Sequence, residues 1–302
     1  MPVHFRKVTL VGVGLLGGSL GLALRRRGLA GEVQGFVRRA SSVAECLSLG
    51  VVDRCSRNLA EAVADADLVV LCSPVGQMAP LFREMSRHLP PACVVTDVGS
   101  VKSALVAEIE PMAEAAGVRF VGSHPMAGAE KSGPAHARAD LFEGAVCVVT
   151  PTAASDPETV DVVRRLWEAV GARVLPMNPL LHDDLVARAS HLPHVVAASL
   201  ANYVLSPAHP REQSELCAGG FRDTTRVASG SPEMWRDIAL ANRRHLSRVL
   251  GVFIEDLSEF RHALDAGDAT AVEEFFRQAK TRRDQRYPDP DPRRTARTDA
   301  TA

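Results

Sequence analysis

Over its first 178 residues the chain alternates short β-branched runs with longer stretches that carry apolar residues at helical spacing. The strand candidates are KVTLVG (7–12), VQGFV (33–37), DLVVLCS (67–73), ACVVTDV (92–98), VRFVGS (118–123), AVCVVT (145–150) and ARVLPM (172–177). Helical stretches lie between them, among them 15–27, 76–87, 101–116 and 156–170. Strands joined through helices pair in parallel, because each crossover returns the chain to the end of the sheet at which the previous strand began. The pattern therefore predicts an α/β fold with a doubly wound, mostly parallel sheet. From about residue 180 the strand signal vanishes and long helices take over: 180–205, a broken piece near 211–230, then 232–264 and 268–287. The expected organisation is a sheet domain over 1–178, an all-α domain over 179–287, and a flexible tail over 288–302, where proline and charge leave too little apolar surface to order the chain.

The first strand runs straight into GVGLLGGS, in which Gly12, Gly14 and Gly17 form G-x-G-x-x-G at the start of a helix. Glycines at this spacing allow a tight turn, close approach of backbone to a pyrophosphate, and close packing of helix on strand, while the helix N-terminus presents amide donors to the anion. A glycine fingerprint is weak alone, but its place after the first strand of an alternating chain predicts a Rossmann-type dinucleotide site. Leu15 and Leu16, between the glycines, join that site. An NAD-preferring site of this kind carries an acid near the end of the second strand; here Val37 stands there, followed by Arg38 and Arg39. Guanidinium groups suit a ribose phosphate, so the expected cofactor is NADP or NAD, with NADP favoured. A solvated turn is the plain alternative for the two arginines.

A formal net charge of -1 gives no general attraction for nucleic acid or an anionic membrane, so a small molecule is the expected partner. No signal-peptide pattern and no membrane-length apolar run is apparent, and the six cysteines form no CxxC pair, which predicts a cytoplasmic protein with reduced thiols.

In open α/β sheets ligands bind beyond the carboxyl ends of the strands. Three loops lie there: CSPVGQM (72–78), which adds Ser73 and Pro74 to the cofactor set, DVGSVKS (97–103) and GSHPMAGAEKSG (122–133). They bring Ser100, Lys102 and His124 towards the nicotinamide end. Ser100 has a bland alternative as a helix cap, and His124 as a structural histidine. His182, Asp183 and Asp184 with His191 and His194 have the composition of a metal cluster, but no full ligand set has convincing spacing, so no metal is expected.

DVGSVK, GSHPMAGAEKSG, ASHLPHVVAASLA (189–201) and GGFRDTTRVASGSPEMWRDI (219–238), in that order, resemble the prephenate/arogenate dehydrogenase family of tyrosine biosynthesis over nearly the whole chain. The resemblance implies an enzyme that removes a hydride from the ring carbon bearing the hydroxyl of prephenate or arogenate, with loss of the ring carboxylate as carbon dioxide. His124 matches the family's histidine that accepts the hydroxyl proton, and Ser100 the serine that orients it. Arg226 matches the arginine for the ring carboxylate, His194 the residue near the side-chain carboxylate, and Glu130 an acid gating the pocket. Ala129 departs from the polar residue common in relatives, Trp235 matches a tryptophan of the pocket region, and His191 is expected to be structural. The resemblance also implies a homodimer paired through the long helices. Prephenate is the expected substrate. Arogenate is the alternative, as is another Rossmann reductase of the β-hydroxyacid dehydrogenase or imine reductase type. A cofactor sensor without turnover is the rival outside enzymes.

Overall fold

The computed structural model describes residues 4–129 and 131–288. Its strands are β1 (Phe5–Val11), β2 (Ala30–Phe36), β3 (Arg54–Ser56), β4 (Leu68–Leu71), β5 (Val94–Asp97), β6 (Arg119–Phe120), β7 (Gly122–Pro125), β8 (Val146–Thr150) and β9 (Arg173–Pro176). The first six form a parallel sheet in the order β3-β2-β1-β4-β5-β6. Helices cover both faces of such a sheet, so its central strands read as unbroken apolar runs: Val8 and Leu10 of β1 and all of Leu68–Leu71 have no exposed surface. The strand order reverses between β1 and β4, opening the crevice in which doubly wound folds bind ligands.

Two features of the sheet differ from the sequence reading. β3 was not among the expected strands; it has three residues, and only a short period-2 signal fits into so brief a run. VRFVGS is not one strand, because the chain leaves the large sheet after Phe120 and enters a second sheet of order β7-β8-β9, in which β7 runs antiparallel to β8. His124 thus lies inside a strand, opposite Val148, rather than in the loop that follows one.

The described residues divide into two compact units, the first ending at Leu246 and the second beginning at Ser247. The division falls well after the loss of strand signal near 178, because the helices that follow are bonded to the sheet half. Asp183, in the helix Pro179–Val186, accepts the backbone amides of Lys102 and Ser103, and Asn242 donates to the Asp183 carbonyl. The expected helix over 180–205 contains a π-turn at Ala187–His191 before continuing as Leu192–Val204. Pro193 has no N–H to give to the turn before it, and the widened turn restores pairing upstream. The expected helix over 232–264 breaks at Asn242, between Pro232–Ala241 and Arg243–Asp265. In the second unit, the ring of Phe260 packs on Phe275 and Phe276 of the helix Ala269–Arg286, with centroids 4.5 and 5.7 Å away. The expected tail lies, from residue 289 on, outside the described residues. No helix among the described residues is long and apolar enough to cross a membrane.

Candidate active site

The glycine turn has the local geometry that a dinucleotide requires. Gly12 has φ +104°, and a Cβ there would stand 2.9 Å from the Cys72 carbonyl carbon, while one on Gly17 would overlap the Gly12 carbonyl oxygen. A Cβ on Gly14 would instead meet nothing within 4 Å. Gly14 is the N-cap of the helix Leu15–Arg26 and supplies no side-chain cap, so the first amides of that helix, including those of Leu15 and Leu16, open onto this space. Across the crevice, the Ser73 hydroxyl oxygen is buried and has no hydrogen-bond partner among the described residues, next to Pro74. An open cradle, uncapped amides and an orphaned hydroxyl fit a bound dinucleotide. At the end of β2, Val37 is buried while Arg38 and Arg39 are exposed, and Arg57 donates to the Arg38 carbonyl at 3.1 Å. The Arg57 guanidinium therefore lies against the backbone of the exposed Arg38 at the outer rim.

Deeper in, the segment after β5 organises the remaining groups. Asp97 is fully buried; its carboxylate accepts the Gly99 amide at 2.8 Å and the Ser123 amide at 3.1 Å, and it pairs with the buried ammonium of Lys102. Lys102 also donates to the Ser123 carbonyl at 2.8 Å. Burial lowers the Lys102 pKa, and Asp97 opposes that shift. The Ser123 hydroxyl faces Thr96 and Trp167 on one side of β7, so strand alternation turns His124 to the other.

There His124, 7% exposed, holds its Nδ1 2.9 Å from Nε2 of His182, and Nδ1 of His182 lies 2.8 Å from the Asp183 carboxylate. Burial pushes the His124 pKa well below its usual value, helped by His182, Lys102 and His191. The ring is neutral at physiological pH and is a competent proton acceptor. His182 is also lowered, by burial first, against the pull of Asp183. Asp183 is lowered although burial alone would raise it, because the His182 ring and the amides of Lys102 and Ser103 stabilise its charged form.

Ser100 has a different setting from the expected one. His124 takes its orienting hydrogen bond from His182, and the Ser100 hydroxyl has no hydrogen-bond partner among the described residues. Nor does Ser100 cap a helix. The helix Ser103–Ala115 begins three residues later, with its first amides on Asp183. His191 is buried and accepts from Asn242 Nδ2 at 3.1 Å; burial pulls its pKa to about 4, and its Nε2 lies towards the Ser100 backbone outside hydrogen-bond geometry. His194 stacks on Trp235 with centroids 3.8 Å apart and has Nδ1 2.9 Å from the Ser190 carbonyl. Donating there, it has a second donor at Nε2 only when protonated. Arg226 is exposed and begins the 3₁₀ turn Arg226–Ser229, which packs against the helix bearing His194. Glu130 lies outside the described residues. Among the described residues no group of three or more metal-ligating side chains is arranged around a common point.

His182, Asp183 and Asn242 were missing from the sequence-derived site. The signal available was the adjacent His182 and Asp183 at the start of the helical region, which composition alone reads as readily as metal ligands. Pairing across 58 residues between His124 and His182 leaves no trace in local periodicity.

A parallel sheet with an open glycine cradle at its switch point, and a neutral buried histidine beyond it, defines a dinucleotide-dependent dehydrogenase. Family models match residues 20–176 as the nucleotide-binding domain of prephenate dehydrogenase and residues 178–278 as its dimerization domain. The chain is 34% identical to a prephenate dehydrogenase of Bacillus subtilis over 92% of its own length and 75% of the relative's. It is 32% identical to a cyclohexadienyl dehydrogenase of Zymomonas mobilis, covering 92% of this chain and 95% of that one. Among solved structures, prephenate dehydrogenase from Aquifex aeolicus, in complex with hydroxyphenyl propionate and NAD+, superposes with a TM-score of 0.88 at 34% identity, over 94% of this chain and 99% of that chain. The chain belongs to the prephenate dehydrogenase family and is a nicotinamide-dependent dehydrogenase.

Proposed function

We propose that this enzyme acts on prephenate, with NADP preferred over NAD, as a cytoplasmic homodimer. The observation that carries the chemistry is His124: a ring kept neutral by burial, with Nδ1 engaged by His182 and Nε2 without a partner among the described residues. When bound, the nicotinamide supplies the hydride acceptor. The protein's part is to take the proton of the ring hydroxyl on His124 as the carbonyl develops, and to hold two carboxylates in place. Ser100, whose hydroxyl has no hydrogen-bond partner among the described residues, is suited to contact the same hydroxyl. Arg226 is assigned to the ring carboxylate, His194 to the side-chain carboxylate, and Glu130 to the pocket gate. Gly12, Gly14, Leu15, Leu16, Gly17, Ser73 and Pro74 are assigned to the dinucleotide.

Arg38 and Arg39 support the NADP reading, and the Arg57 guanidinium lies against the Arg38 backbone. The test is turnover of prephenate and of arogenate, each with NADP and with NAD. Prephenate with NADP is expected to give the highest kcat/KM. Replacing both Arg38 and Arg39 by alanine is expected to lower kcat/KM with NADP by about ten- to a hundredfold, the worth of one or two charge-assisted hydrogen bonds, while sparing NAD. Equal loss with both cofactors would remove the NADP assignment.

The homodimer is supported by the dimerization-domain match and by apolar side chains such as Val252, Ile254, Leu257 and Leu264, each about half exposed on the helix Arg243–Asp265. Light scattering should give twice the mass of one chain; a monodisperse monomer at assay concentration would contradict it. A cytoplasmic location agrees with six unpaired cysteines.

A further inference from the structure

The hydrogen bonds behind His124 fix the protonation of two rings in series. Asp183 accepts the Lys102 amide on Oδ1 and the Ser103 amide on Oδ2, both at 2.8 Å. These amides belong to the start of the helix Ser103–Ala115, where unpaired N–H groups favour an anion. Being ionised, the carboxylate only accepts, so His182 must carry its proton on Nδ1, 2.8 Å from Oδ1. The lone pair of His182 is then on Nε2, 2.9 Å from Nδ1 of His124. His124 must donate from Nδ1, which leaves its own Nε2 bare.

We propose that His182 and Asp183 form a proton relay with His124: as Nε2 of His124 takes the substrate's hydroxyl proton, the Nδ1 proton of His124 passes to Nε2 of His182. The positive charge comes to rest on His182 beside Asp183. This rests on the assignment of His124 as proton acceptor. Both rings are buried, but a charge held on His124 would face Lys102 and His191, whereas on His182 it has a carboxylate in hydrogen-bond contact, with Asp97 offsetting Lys102.

The relay suits this reaction because no proton is gained or lost overall. A dianionic substrate and the oxidised cofactor become a monoanionic keto acid, carbon dioxide and the reduced cofactor. In the oxidation the C–H pair leaves as hydride and the O–H pair forms the carbonyl, while the proton enters the relay. In the decarboxylation the C–C pair to the departing carboxylate enters the ring. The carbonyl π pair then returns to oxygen, and that oxygen takes the proton back by the reverse shift. His182 and Asp183 touch no reacting atom and are positioning residues that store one proton between the two steps.

The test joins NMR with kinetics. In the wild-type enzyme, ¹⁵N spectra at neutral pH should show both His124 and His182 as Nδ1–H tautomers; an Nε2–H tautomer on His124 would overturn the relay without any variant being made. In Asp183→Asn the oxygen that accepts from the Lys102 amide and from His182 carries no charge to hold the relayed proton, so kcat should fall by about a hundredfold or more, with cofactor Kd unchanged. Wild-type kcat in that variant, alongside an inactive His124→Ala, would dismiss the relay alone. A fully active His124→Ala would remove the underlying assignment as well.

Discussion

His124→Ala should lower kcat by about 10²- to 10⁴-fold, the usual worth of a positioned general base, while leaving cofactor binding intact. That loss corresponds to about 3 to 5 kcal/mol of transition-state stabilisation. The substitution removes a ring whose side-chain hydrogen bond among the described residues runs inward to His182, so, with the ring acting as the proposed base, the effect should fall on kcat rather than on KM. The pH profile follows from the direction of the shift. Burial and the neighbouring His182, Lys102 and His191 hold His124 well below the usual value, so it stays neutral, and active, as pH falls past about 6.5. The acid limb of kcat/KM should lie below that point. An acid limb above it, or a variant with near-normal kcat, would show that another group takes the proton.

The second large effect concerns stability. Lys102→Met should destabilise the protein by about 3 to 5 kcal/mol in chemical denaturation, because it leaves Asp97 as an uncompensated charge. Both side chains of this pair are 0% exposed, so water cannot replace the lost partner. The methionine also gives up the bond to the Ser123 carbonyl, one residue before His124. Activity should therefore fall with stability, through loosening of β7. A change below about 1 kcal/mol, the scale of an exposed pair, would mean that the interior here is wetter than the burial implies.

The parts of this molecule that were readable from sequence are those written in local periodicity or turn chemistry. Apolar runs such as Leu68–Leu71 marked the central strands because a sheet covered on both faces needs apolar residues at every position. Gly12 and Gly17 marked the cofactor turn because no side chain fits there. The second sheet was harder to see. VRFVGS has no turn signal at Val121, where the chain moves from one sheet to the other, and only three-dimensional pairing of β7 with β8 separates them. The break at Asn242 was also hidden, since one asparagine in a long helical pattern is tolerated; its side chain serves Asp183 and His191, distant in sequence. The same limit applies to the histidine pair. Sequence indicated His124 through its motif, but the groups that set its tautomer come from a helix that begins at Pro179, and nothing local to His124 encodes that approach.

Oxidation of the cyclohexadienol and expulsion of its ring carboxylate should occur in one catalytic cycle. Wild-type enzyme supplied with prephenate and oxidised nicotinamide cofactor should release reduced cofactor and carbon dioxide together in equal amounts, both measured in the same reaction. Reduced cofactor without carbon dioxide, or neither product while the cofactor binds, would show that the enzyme does not carry out this oxidative decarboxylation.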